Sequence, residues 1–364
     1  MSTDTKMDHG LEALRRIARL WQVDADRVIW SEQGFDWWPG SFKVSVAATP
    51  VAEEQEEEDG LAWRLTVRTA VLKHVRMSDP EIRARIALFA ALTPTYAMVY
   101  PPAELEKEYG TAVDGLLWLQ STAYLRQDNI GWLPEFLARM AILQPIDAQR
   151  QAETLAQMLH ATLDVSNPGS GASTDHRDEM LTIADAMYLP KGREANRWAG
   201  TTEFKECAER FGRNDQCFGT GDPNGLALET PFGDDSSLIR LMASQSHPYY
   251  GAALLATLLV PLARSVPELE SECAWFNFFE ATSWTGTPQF GSWAPKQRGD
   301  QWCPAMAFIV PNLLYAPGIA TNSALWQLGR ARWIKKKFHP DLQDRTMAEI
   351  LKERWKRAGL PVPH

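Results

Sequence analysis

Phe42-Lys43-Val44-Ser45-Val46 and Trp63-Arg64-Leu65-Thr66-Val67-Arg68-Thr69-Ala70-Val71 are the stretches on which the reading of this chain turns. Both alternate apolar and polar residues, the period of a strand with one buried and one wet face. The acidic run Glu53-Glu54-Gln55-Glu56-Glu57-Glu58-Asp59-Gly60 lies between them, so they are expected to pair antiparallel across a solvated loop. Phe42, Val44, Val46, Leu65, Val67 and Val71 then fall on the buried face, and Arg64 and Arg68 on the open one. A similar pattern returns from Leu238 to Val260, so the chain reads as one unit used twice.

Working outward, Leu11, Leu14, Ile17, Leu20 and Trp21 define one face of a helix that starts near His9. Ser78-Asp79-Pro80-Glu81 carries a capping side chain, a first-turn proline and an early acid, the signature of a helix start. That helix stops before Pro94. Tyr96–Tyr100 and Leu116–Leu125 read as strands, and a helix from Trp132 to Leu163 breaks at Pro145. Ser166-Asn167-Pro168-Gly169-Ser170-Gly171-Ala172-Ser173 has linker composition. It divides the chain into a first unit at 1–165, a linker at 166–175 and a second unit at 176–364. In the second unit a turn-rich stretch from Gly212 to Gly225 precedes strands at Leu226–Phe232, Leu238–Ala243 and Ala253–Val260.

Ser78-Asp79-Pro80-Glu81-Ile82 and Ser265-Val266-Pro267-Glu268-Leu269 lie 187 residues apart, and at that offset Phe89 meets Phe276 and Val71-Leu72 meets Leu258-Leu259. Phe42 matches Leu238 at an offset of 196, and Trp118 matches Phe308. An ordered series whose length differences fall in loops indicates an internal repeat. Each half reads helix, three strands, helix, two strands, helix. The predicted class is α+β: two tandem units, each a twisted antiparallel sheet packed against helices, in a pseudo-dimeric arrangement.

In this order of elements, with its acidity and alternating strands, the chain resembles the type III secretion chaperones, the Tir-chaperone-like fold, over roughly Leu11–Leu163 and Glu179–Phe338. The resemblance implies a small acidic unit, usually a homodimer, that holds a disordered segment of a secreted protein. The chain departs from that pattern in carrying two units, in the extra segment Lys191–Gly225 and in a terminal helix at Met347–Arg357.

The 364 residues suit two domains, and 45% hydrophobic with 23% charged residues is a globular composition. A net charge of -9 argues against a nucleic-acid groove or an anionic membrane surface, and favours a basic partner. No apolar run is long enough to span a bilayer, and no basic start precedes an apolar one, so a cytoplasmic setting is expected. Four cysteines without CxxC spacing read as reduced, buried thiols.

Chemistry is sparse. Gly219-Thr220-Gly221-Asp222-Pro223-Asn224-Gly225 has the glycines of a phosphate cradle but no Lys-Ser or Lys-Thr ending, so it reads as a turn. Arg330–Lys337 is the main basic cluster, at a helix end where cations complement the dipole. His247, Tyr249, Asp234 and Asp235 are the weak catalytic candidates, for an enzyme acting on a small molecule in a cleft between the halves. No metal ligands and no cofactor are expected. The leading expectation is a non-catalytic protein- or peptide-binding protein, monomeric as a pseudo-dimer or a homodimer. Trp37, Trp38 and Trp63 supply its pocket, and Glu54, Glu56, Glu57 and Glu58 an acidic rim for a basic segment.

Overall fold

The computed structural model describes residues 9–23, 28–51, 63–92, 95–101, 115–166, 195–212, 217–243, 246–247 and 251–358. They form helices and two antiparallel sheets, an α+β fold in two compact units. Unit 1 comprises Met1–Ile86, Thr95–Ala186 and Asn277–Phe290; unit 2 comprises Ala87–Pro94, Met187–Phe276 and Gly291–His364.

Unit 1 opens with α1 (His9–Leu20), then β1 (Val28–Trp30), β2 (Gly34–Trp37), β3 (Val44–Pro50) and β4 (Trp63–Lys73). After α2 (Pro80–Leu92) come β5 (Ala97–Val99), β6 (Leu117–Leu125), α3 (Leu133–Ala141), α4 (Leu143–Met158) and the short β7 (Thr162–Leu163). The sheet order is β1-β2-β3-β4-β6-β5, with β7 beside β4. Val46 pairs with Val67 and Val67 with Ser121, which sets the alternation in register across three strands. All six predicted core residues, Phe42, Val44, Val46, Leu65, Val67 and Val71, are buried. Removing each such side chain from water contributes about 1.5–3 kcal/mol.

The opposite face is not open. Arg64 and Arg68 are half-buried, which corrects the expectation that they are exposed. Arg68 lies 3.9 Å over the Trp118 ring, and burial pulls its pKa below the ordinary arginine value, with the charge of Asp164 opposing. The helix break also moves. α4 begins at Leu143, so Pro145 sits in its first turn, where a missing N–H costs nothing.

Unit 2 contains α5 (Glu203–Phe211), β8 (Phe218–Asp222), β9 (Gly225–Phe232), β10 (Asp235–Met242), the short β11 (Ser246–His247) and β12 (Gly251–Leu259). α6 (Val266–Thr282), β13 (Ser292–Arg298), β14 (Gln301–Pro311), α7 (Ile319–Phe338) and α8 (Met347–Arg357) follow. The sheet order is β8-β9-β10-β12-β14-β13, the same succession as β1-β2-β3-β4-β6-β5 in unit 1, with β11 beside β12. Ala253–Val260, the segment on which the repeat depends, is strand to Leu259.

Pairing corrects the alignment of the halves. Taking Thr69 and Ala256 as equivalent, Thr69 pairs with Val44 and Leu119, and Ala256 with Leu241 and Phe308. Val44 thus matches Leu241, and Leu119 matches Phe308. The pairings Phe42/Leu238 and Trp118/Phe308 are each one residue out, a slip that in a strand exchanges the faces.

Gly219-Thr220-Gly221 is likewise not a turn but part of β8, paired with β9. A Cβ on Gly221 would stand 2.5 Å from Phe204 O, and one on Gly219 2.9 Å from Ala208 O. The glycines let α5 lie against the strand, a packing role that resembles a phosphate loop only in composition. Gly233, at φ +63°, opens the two-residue turn between β9 and β10, a backbone region that glycine enters without strain.

Candidate functional site

In unit 2, α6 is capped by Ser265. Its backbone N–H donates to Glu268 Oε2 at 3.0 Å and its hydroxyl at 2.6 Å. The Ser265 hydroxyl, then its N–H, hold the Glu268 carboxyl below the ordinary carboxylate range. Glu268, Glu272 and Phe276 follow at four-residue spacing and share one helix face. Phe338, the last residue of α7, meets Phe276 with ring centroids 5.1 Å apart. These residues, with Trp275 and Arg264, line a pocket of about 490 Å³.

Glu272 is the unusual member. Its Oε2 is buried and has no hydrogen-bond partner. Burial raises its pKa; the Arg264 charge opposes that and the Glu268 charge adds to it. The pocket is therefore an open, aromatic-lined recess with two carboxyls along it, one of them short of a donor. A cation seated there would satisfy the bare oxygen and meet aromatic faces as well.

The expected site residues lie elsewhere. Trp37 is buried on β2 and stacks on Trp21 at 5.1 Å. Trp38 is buried and donates from Nε1 to Ser166 Oγ at 3.1 Å. Trp63 is half-buried at the start of β4, beside Gly10 of α1. Glu54, Glu56, Glu57, Glu58 and Tyr249 lie outside the described residues, as does the side chain of His247, whose backbone is in β11. Asp234 is exposed in the β9–β10 turn.

Asp235 belongs to a polar cluster that fastens α8. It accepts from Arg354 Nη2 at 2.5 Å, and Arg298 lies 3.6 Å away. Arg354 also donates to Glu229 at 2.5 Å and to the Ser236 hydroxyl at 2.7 Å. Burial pushes the Asp235 pKa up, but the hydrogen bonds from Arg354 and the Ser236 N–H, with the Arg298 charge, outweigh it and leave it lowered. A carboxylate so committed fastens α8 to the strands.

Unit 1 shows a different kind of recognition, of a stretch of the chain's own backbone. Asn277–Phe290 belongs to this unit. Trp118 packs edge-on to Phe278 at 6.3 Å, Tyr124 to Trp284 at 4.3 Å and Phe136 to Phe290 at 5.3 Å. Gln120 Nε2 donates to Ala281 O at 2.7 Å, and Arg64 donates to the same carbonyl. Beyond the end of β5, the free edge of β6 is taken by Gln289, with Thr122 N to Gln289 O at 3.0 Å and Gln289 N to Thr122 O at 2.8 Å.

No family model, curated protein or solved structure matches this chain. Among the described residues, no three His, Cys, Asp or Glu side chains are grouped as a metal ion would need, and no helix is long and apolar enough to cross a membrane. The four cysteines are buried and unpaired. Burial, foremost, drives the Cys207 thiol to about 12 and the Cys217 thiol to about 11.

The α6 pocket escaped sequence reasoning because Phe338 and Glu272 are brought together only by the fold. The legible part was the Ser265/Glu268 cap, which marks where the helix face begins.

Proposed function

We propose that this protein is a non-catalytic binding protein that holds a segment of another polypeptide, in the manner of the secretion chaperones that its element order resembles. One basic side chain of that segment occupies the α6 pocket. The observation that supports this most directly is the buried Glu272 oxygen without a donor, set among Trp275, Phe276 and Phe338. A Lys or Arg head group supplies that donor, and its aliphatic stem suits the aromatic walls. The hold of unit 1 on Asn277–Phe290, by ring contacts, by side-chain donors to the helix end at Ala281 and by one bridge at Gln289, is the chain's own precedent for holding a polypeptide segment. The acidic run at 53–59, outside the described residues, adds long-range attraction for a basic segment.

The test is selection of a displayed random 12-mer library on the immobilised full chain. Recovered peptides are expected to share a Lys or Arg. Glu272→Gln is expected to weaken them about tenfold, or about 1.4 kcal/mol. Their affinity should also rise with pH through the elevated Glu272 range, since only the carboxylate pairs with a cation. Peptides that lack a basic residue, or that bind the Glu272→Gln chain equally well, refute the reading.

A further inference from the structure

Unit 2 holds a second cleft of opposite character, about 750 Å³, between β9, the last turns of α7 and the segment that follows. Arg332, Lys335 and Lys336 face it from α7, and Arg345 from the segment beyond. That segment is pinned to the β9–β10 turn: Gly233 N donates to Asp344 Oδ1 at 2.8 Å, and Arg345 N donates to Gly233 O at 3.1 Å. The wall carrying Arg345 is therefore fixed in place, in a chain whose net charge is -9.

A helix C-terminus attracts cations by itself, but its macrodipole amounts to roughly half a negative charge. Asp344 pairs with Lys335. Among the described residues Arg332, Lys336 and Arg345 have no carboxylate within ion-pair distance, so the dipole offsets only a small part of the positive charge. His339, just past the end of α7, also lines the cleft, with its Nε2 buried behind the surface.

We propose that this cleft binds a small phosphorylated molecule, with its phosphoryl oxygens held by Arg332, Lys336 and Arg345. Three cations without a direct ion pair, of which only Arg345 feels a nearby carboxylate at Glu349, suit a ligand of two or three negative charges better than a single carboxylate. The two guanidinium forks match the paired oxygens of a phosphoryl group, and the volume is that of a small-ligand pocket rather than a peptide groove.

The test is calorimetric titration of the full chain with sodium pyrophosphate at low and at physiological salt. Saturable binding at one site per chain is expected, weakening as salt rises. Arg332→Gln combined with Lys336→Gln is expected to raise Kd at least about tenfold, as is Arg345→Gln from the opposite wall, both with unchanged melting curves. Should the double variant fail to fold, Arg345→Gln alone decides. Absence of saturable binding, or unchanged affinity in the folded variants, overturns the proposal. Tighter binding of a hexaglutamate peptide than of pyrophosphate also overturns it, by assigning the cleft to an acidic polypeptide.

Discussion

Replacing Arg64 by Met tests whether charge, rather than packing, holds the end of α6 in unit 1. The guanidinium donates to Ala281 O; its approaches to Thr282 O at 3.4 Å and Glu280 O at 3.5 Å are too long to contribute much. One charge-assisted bond is worth about 1.5–3 kcal/mol, and a cation at a helix C-terminus adds about 0.3–1 kcal/mol. Two features reduce the net effect. Ala281 O keeps its bond from Gln120, so it is not left bare, and Arg64 Nε is buried without a partner, so its removal relieves a cost. Because Met retains the apolar stem, the expected loss is about 1–2 kcal/mol. Urea titration should show an earlier midpoint at unchanged slope, and Arg64→Lys should recover about half of the loss. Combining Arg64→Met with Gln120→Leu should cost more than the two changes separately, because the carbonyl then has neither donor. An Arg64→Met chain as stable as the parent, or an Arg64→Lys chain no better than Arg64→Met, refutes the reasoning.

Val67→Ala, at a fully buried site between Val46 and Ser121, should lower stability by roughly 1–3 kcal/mol, while Thr66→Ala on the other face stays within about 0.5 kcal/mol in the same titration. Because the folded pKa of Asp235 is depressed, its contribution is present above the ordinary aspartate range and is lost as pH falls through the lowered value. The stability deficit of Arg354→Leu should accordingly shrink in acid, as followed by thermal melts across pH. Cys207 and Cys217 should resist iodoacetamide at pH 8 and react only as the chain unfolds, measured by mass spectrometry with increasing urea.

The architecture was legible where residues report on their own strand. Alternation in β3 and β4 placed five side chains in the core, with Phe42 just ahead of β3 a sixth, and the capping signals placed the starts of α2 and α6. Features that depend on what lies opposite were not legible. Arg64 looks like a solvated strand residue until α6 ends against it, and Gly221 like a turn residue until α5 lies across it. The one-residue errors in matching the halves have the same origin, since loops absorb a slip that only hydrogen-bonded pairing exposes. At the sites, Arg330–Lys337 was visible as a basic cluster. Burial then divides it: Arg330 is fully enclosed and bonds Gln327 at 2.8 Å, whereas Arg332 and Lys336 reach the cleft. Composition does not carry that division.

Asn277–Phe290 lies within unit 1, so the order of synthesis matters. A ribosome releases residues in sequence, and β6 emerges long before Gln289. During that interval the strand presents unpaired N–H and C=O groups around Thr122, beside the uncovered rings of Trp118, Tyr124 and Phe136, an arrangement prone to pairing with foreign chains. A gene cut between residues 166 and 175, where the sequence has linker composition, would make that transient state permanent. The first half released alone would carry a sticky strand border, and supplying Asn277–Phe290 in trans should return it to solution.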